Sequence, residues 1–222
     1  MIPLSLDVTK SPIMVCCSKV ICNGCNHANQ IREAKASLQK QCPFCRESLP
    51  TTKEESDKRR MKRIEANDPV AMTQWGGEQH RKGNYSSAFE HFTRAAELGN
   101  VLAHCQLAES YHYGYGVEKD RGKEMYHMEE SAIGGHPDAR YNLGWNEWNN
   151  GNTEKAVQHF IIAATQGHDK SIKLLMSAFK VGKVSKEDLA AALRAHKAAL
   201  DATKSPQRAA AEEYRRKWSS AN

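Results

Sequence analysis

Long apolar runs, a strong charge of one sign and the glycine signatures of phosphate chemistry are all missing from this chain. No stretch of its 222 residues approaches the ~20 apolar residues a bilayer crossing requires. The opening Met1-Ile-Pro-Leu-Ser-Leu-Asp-Val8 has no basic start, no long apolar core and no small-residue cleavage site, so it does not read as a secretory leader. The expectation is a reducing, intracellular location, cytoplasmic or nuclear. A net charge of +6 is mild; it permits an acidic partner without pointing to nucleic acid. Five basic residues in six lie at 58–63, but no aromatic side chain interleaves with them. With Glu54, Glu55 and Asp57 one turn earlier, the run reads as the solvated face of a helix that starts at a Thr52/Glu55 capping box and ends near Ala66. No zinc-protease helix and no nucleophile elbow occurs.

Cysteine is present but unevenly placed: six of the seven lie between Cys16 and Cys45. In a reducing compartment such a cluster favours metal over disulfides. Cys22-x2-Cys25 is followed, after sixteen residues, by Cys42-x2-Cys45. A two-residue gap lets both sulfurs of a hook reach one tetrahedral ion at about 2.3 Å. So short a segment cannot bury enough apolar surface to fold alone, whereas structural zinc supplies roughly 10–16 kcal/mol.

The rest of the chain repeats itself. The stretch from Ala88 to Gly99 returns from Ala156 to Gly167, 68 residues on, and a third copy, Glu124 to Gly135, lies between them. Spacings of 32 and 36 residues imply stacked helix pairs. In each first helix a small residue precedes a large one by four positions: Ala71 and Trp75, Ala103 and Leu107, Ala139 and Leu143, Ser171 and Leu175. Such pairs share a helix face. In each second helix Phe92, Met128 or Phe160 is followed by small residues, and Gly99, Gly135 and Gly167 end the helix in the left-handed conformation. Asp68-Pro69 and Pro137 mark helix starts. The fourth unit keeps one helix and runs into an alanine-rich helix opened by Ser185 and Asp188, read as a cap. The fold class is therefore all-α, a helical-hairpin solenoid preceded by a small zinc-binding finger. The expected limits are 1–50 for the finger, 51–67 for a charged linker helix, 68–204 for the repeats with their cap, and 205–222 for a tail, whose Ser205-Pro206 is a weak phosphorylation signal. Whether that tail docks or frays stays open.

Ala103, Leu107, Tyr111, Gly114, Gly116, Val117, Asp120 and Lys123 follow the order of the Sel-one-like repeat family, a relative of tetratricopeptide repeats. The resemblance spans roughly 60% of the chain and implies an assembly scaffold with a protein partner. Cys17, Cys22, Cys25, Cys42 and Cys45, with Pro43 and Arg46, resemble the later part of a RING-type zinc finger. That resemblance implies two interleaved zinc sites, with Cys17, Cys42 and Cys45 in one and Cys22 and Cys25 in the other. It puts a histidine where Lys19 stands, with Cys16 as a replacement, and it expects an earlier cysteine pair that this sequence lacks. With one zinc, two arrangements are open: Cys16, Cys17, Cys42 and Cys45, or Cys22, Cys25, Cys42 and Cys45. With an upstream pair there would be two ions. His27 is a spare ligand or a solvent-facing residue. The resemblance also implies a ubiquitin-conjugating enzyme as partner, contacted through Arg46, and hence a ubiquitin ligase as the alternative function; without the first pair half of that docking surface is missing.

For partner binding the repeats offer a polar column. Gln74, Gln106 and Asn142 hold one place in successive first helices, where amides can bond an extended peptide. Trp145 and Trp148 are peptide anchors or gap fillers. No catalytic residue is expected: His91, His127 and His159 recur at one repeat position, which suits packing, and Cys105 reads as a small buried hydrophobe.

Overall fold

The computed structural model describes residues 11–221, with side chains to 217. The leader reading of residues 1–8 lies outside them. The described residues form eleven helices and two isolated antiparallel bridges, Ile13 with Val20 and Gln41 with Ser48. None of these helices is long and apolar enough to cross a membrane. The helices are α1 (Asn23–Lys35), α2 (Lys53–Glu65), α3 (Pro69–Arg81), α4 (Tyr85–Glu97), α5 (Val101–Tyr113), α6 (Arg121–Ile133), α7 (Pro137–Asn149), α8 (Thr153–Thr165), α9 (Asp169–Lys180), α10 (Lys186–Ala202) and α11 (Pro206–Ala221). They fall into two compact units, one reaching to Ala71 and including the residues from Asp201 onward, the other spanning Met72–Leu200.

The larger unit is the solenoid. From α4 to α9 each helix packs on the next in the chain. This nearest-neighbour order is what a stack of hairpins requires. The starts follow local chemistry. Asn100 accepts from the Ala103 N–H (3.0 Å), Asp120 from that of Lys123 (3.0 Å) and Ser185 from that of Asp188 (3.0 Å). Each bond satisfies a donor that the helix itself leaves orphaned. The turns of the first and third repeats share a side-chain bracket: the Asn84 amide donates to Gln79 (2.9 Å), and the Asn152 amide to Glu147 (2.7 Å). Phe92 and Phe160 are wholly buried among alanines, while Met128 is only half-buried. The last hairpin, α9 with α10, closes one core through Leu175, Ala178, Val184 and Ala192.

The facing surfaces explain why small residues recur. A Cβ on Gly76 would come within 2.7 Å of the Phe92 ring, and one on Gly144 within 2.5 Å of the Phe160 ring. In the second repeat the corresponding residue is Ala108 and the opposing one Met128. A flexible thioether accommodates a methyl that a rigid ring does not.

The smaller unit holds two tight cysteine turns, α1, α2 and the C-terminal α11, which packs on α1. Thr52 caps α2, accepting from the Glu55 N–H (3.1 Å), while Glu55 accepts from the Thr51 N–H (3.1 Å). The basic run of α2 is tied to acids nearby: Arg59 to Glu55, Arg60 to Asp57 (3.3 Å), and Arg63 Nε to Asp68 (2.8 Å). Asp68 in turn caps α3 through the Val70 N–H (2.9 Å).

Candidate metal centre and partner-binding faces

Two turns of the same design carry the cysteines. In the first, the Met14 N–H donates to Lys19 O (2.9 Å) and the Ser18 N–H to Met14 O (2.7 Å). In the second, the Cys42 N–H donates to Glu47 O (2.7 Å) and the Arg46 N–H to Cys42 O (2.9 Å). Ser18 and Arg46 follow the last cysteine of each turn and are left-handed, with φ of 54° and 61°. Superposing the two patterns places Cys17 on Cys45 and Met14 on Cys42. The first turn thus lacks a sulfhydryl where the second has one, and Cys16 supplies it from the middle of the turn.

The sulfurs of Cys16, Cys17, Cys42 and Cys45 all lie within 4.8 Å of one another. Cys17 and Cys42 are 3.7 Å apart, Cys16 and Cys45 3.3 Å. Four sulfurs on a tetrahedral zinc at about 2.3 Å would be about 3.8 Å apart, so the donor set fits a structural metal. Adjacent cysteines can share an ion here because residues 15–17 form a turn; a strand would send them to opposite faces. Burial raises the pKa of Cys16 and Cys17 above the usual thiol range, with the neighbouring sulfurs adding to it. Burial acts in the same direction on Cys42, but the Cys45 and Phe44 N–H groups outweigh it and hold that thiol below its ordinary value. Cys16 and Cys17, raised by burial and by the sulfurs beside them, are thiols a cation relieves, since it takes them as thiolates. Lys19, which stands between the two turns' cysteines in sequence, places its ammonium 5.6 Å from the centre of the Phe44 ring.

Cys22 and Cys25 stand apart from this cluster. Cys22 is the N-cap of α1, its sulfur accepting from the Cys25 N–H at 3.3 Å. Burial raises the Cys22 pKa, but a hydrogen bond from Arg208 and the Cys25 N–H more than compensate, and the net shift is downward. The adjacent Cys22 sulfur and burial raise that of Cys25. Of the two single-zinc arrangements, the structure assembles the one built on Cys16 and Cys17. His27 packs against Tyr214 of α11, ring centres 4.9 Å apart. Nothing in the sequence near Cys22 signals Arg208 or Tyr214, which lie about 190 residues away.

On the solenoid, Gln74 in α3 and Gln106 in α5 are half-buried, and Asn142 in α7 is exposed. Trp145 is 37% exposed and meets Phe160 edge-on at 6.4 Å; Trp148 is half-buried in the core of the last repeats. Trp148 is thus a gap filler, while Trp145 keeps an open face. Arg46 is exposed on the second cysteine turn. His127 has its Nδ1 3.0 Å from that of His104, and His91 Nδ1 lies 2.8 Å from the Ser87 carbonyl. Cys105 is largely buried, and burial, followed by Asp138, pushes its thiol up to about 11.

The family model for the Sel1 repeat matches residues 70–100, 101–136 and 137–168. The crystal structure of a Sel1 repeat protein from Oxalobacter formigenes is 27% identical with a TM-score of 0.57, over 68% of this chain and 66% of that one. The crystal structure of c5321, a protective antigen of uropathogenic Escherichia coli strains with an SLR fold, is 20% identical with a TM-score of 0.53, over 74% of this chain and 37% of that one. The second likeness is one of fold. The chain spans slightly under two thirds of the first protein and little more than a third of the second. No curated protein matches it.

Proposed function

We propose, on the premise that residues 70–168 are three Sel1 repeats, that this chain is a protein–protein interaction scaffold. The solenoid grips an extended segment of a protein partner, and the finger, held by one zinc ion, adds a second contact through Arg46. The observation that carries this reading is the amide column. Gln74, Gln106 and Asn142 recur at one register of α3, α5 and α7, and among the described residues no hydrogen bond engages their side-chain amides. Amides at a repeat spacing bond a peptide backbone without demanding a particular side chain, and the open face of Trp145 supplies an aromatic anchor beside Asn142. Zinc suits the finger because four thiolates at tetrahedral spacing favour a soft, tetrahedral ion. The test is the double variant Gln106→Ala/Asn142→Ala. It is expected to keep the wild-type melting temperature and to lose the proteins that the wild type co-precipitates from its native lysate. Undiminished capture would remove the amide column from the reading.

A further inference from the structure

The pair left out of the metal cluster has a chemistry of its own. Cys22 is the N-cap and Cys25 the third residue of a thirteen-residue helix. A cap and the residue three places on point to the same end of the helix, and the Cys25 N–H lies 3.3 Å from the Cys22 sulfur. Cys22 is buried at 5% exposure, while Cys25 is exposed; both are free thiols. The N-terminal end of the helix and the Arg208 guanidinium both direct positive charge at the Cys22 sulfur.

That arrangement depends on α11. Between the two cysteines sits Gly24, and a Cβ there would lie 2.5 Å from the Arg208 backbone nitrogen and 2.7 Å from the Gln207 carbonyl carbon. The glycine lets the start of α11 press onto the cysteine pair. Ser205 caps α11 through the Arg208 N–H (3.2 Å), and the Arg208 guanidinium also donates to the Thr203 carbonyl, so the arginine is fixed from both sides. The roles divide accordingly. The exposed thiol is the one a small molecule meets and so attacks first; the buried, positively flanked thiol ionises more readily and resolves the mixed disulfide.

We propose that Cys22 and Cys25 form a reversible dithiol–disulfide centre, separate from the metal cluster, that exchanges with low-molecular-weight disulfides. In the first step the Cys25 thiolate attacks one sulfur of the small disulfide. The S–S bond breaks, a mixed disulfide forms on Cys25, and the other half leaves as a thiolate that takes up the proton Cys25 gave up. In the second step the Cys22 thiolate attacks the Cys25 sulfur. The mixed disulfide breaks, the Cys22–Cys25 bond forms, and the second half leaves and takes the proton that Cys22 gave up. Two electrons have passed from the dithiol to the small disulfide, which is reduced to two thiols. Arg208 is a positioning residue: it favours the resolving thiolate and does not touch the small disulfide.

The experiment uses the full zinc-loaded chain and oxidised glutathione, quenched with an alkylating agent and digested with trypsin. Cleavage after Lys19 and Arg32 yields a peptide, residues 20–32, whose only cysteines are Cys22 and Cys25. This peptide is expected to lose two hydrogens and become an internal disulfide about tenfold faster than Cys105 is modified, Cys105 being the control with a buried, raised thiol. Cys22→Ser should trap glutathione on Cys25, whereas Cys25→Ser should leave Cys22 unmodified. Arg208→Gln should accumulate the mixed disulfide. If the wild-type peptide resists oxidised glutathione until a chelator is added, the pair is a metal half-site and the proposal falls. It falls equally if Cys22→Ser and Cys25→Ser trap glutathione alike, or if the peptide reacts no faster than Cys105.

Discussion

Gly144 and Gly77 both sit inside helices, yet alanine at the two positions should have opposite effects. In a helix interior, alanine is favoured over glycine by about 1 kcal/mol. At Gly77 the new methyl meets nothing within 4 Å, so that gain is free. At Gly144 it meets three ring carbons of Phe160 between 2.5 and 3.0 Å. The ring is wholly buried and flanked by Tyr141, Trp145 and Trp148, so it cannot give way. Overpacking of this kind costs about 1–3 kcal/mol and outweighs the propensity gain. Urea unfolding should place Gly77→Ala above the wild type and Gly144→Ala below it. His127 offers a test of another kind. Burial first, then His104 and Lys123, lower its pKa to about 4 from an ordinary 6.5. Tyr111 stacks on its ring and Tyr126 meets it edge-on, so aromatic faces rather than acids surround it. Between pH 4 and 6.5 the unfolded chain therefore binds more protons at this site than the folded one does. The contribution is complete above pH 6.5 and is lost as the pH falls toward 4. His127→Gln should flatten this part of the acid slope of the urea midpoint; an unchanged slope would mean that His127 is not held neutral.

Among the elements, legibility in the sequence tracks the range of the interaction. The α2, α3 and α10 starts were readable because Thr52, Asp68 and Ser185 bond to N–H groups two or three residues on. The stack was readable because the small-then-large register recurs with every repeat, and packing of identical hairpins needs no information beyond that period. The recurrence of glycine after the large residue, Gly76 and Gly144, was an available signal for close helix approach that the small-residue register left unused. Long-range features were not readable. The sequence offers the Cys16 and Cys17 arrangement as one of two, and the choice between them becomes visible only when the hydrogen bonds show Met14 at the place of Cys42. The docking of α11 on α1 joins segments at opposite ends of the chain, and its one local trace is Gly24, a residue with many ordinary explanations. For the tail, helix propensity was legible and destination was not, since propensity carries no information about the partner surface.

The two compact units draw their stability from different sources, which predicts how the whole molecule comes apart. In the larger unit Phe92, Leu107, Phe160 and Leu175 are all at most 1% exposed, and each repeat buries its neighbour's face. In the smaller one the cysteine turns enclose only Met14, Ile21 and Cys42, with Cys16, Cys17 and Leu49 beside them, so half of the cluster is itself sulfur ligand. Structural zinc is worth roughly 10–16 kcal/mol to such a segment, more than so few apolar side chains supply at ~1.5–3 kcal/mol each. Removing the metal should therefore unfold the finger and leave the solenoid, so that a single two-state transition no longer describes the chain. Hydrogen exchange resolves the two outcomes. On adding chelator, the amides of Cys42 and Arg46, which close the second cysteine turn, should lose protection, while those around Leu107 and Phe160 should exchange as before. Titrating zinc back should restore protection at one equivalent per chain. Loss of protection in both units together would show that the solenoid depends on the metal, and a finger that stayed protected would show that its fold rests on something other than the four sulfurs.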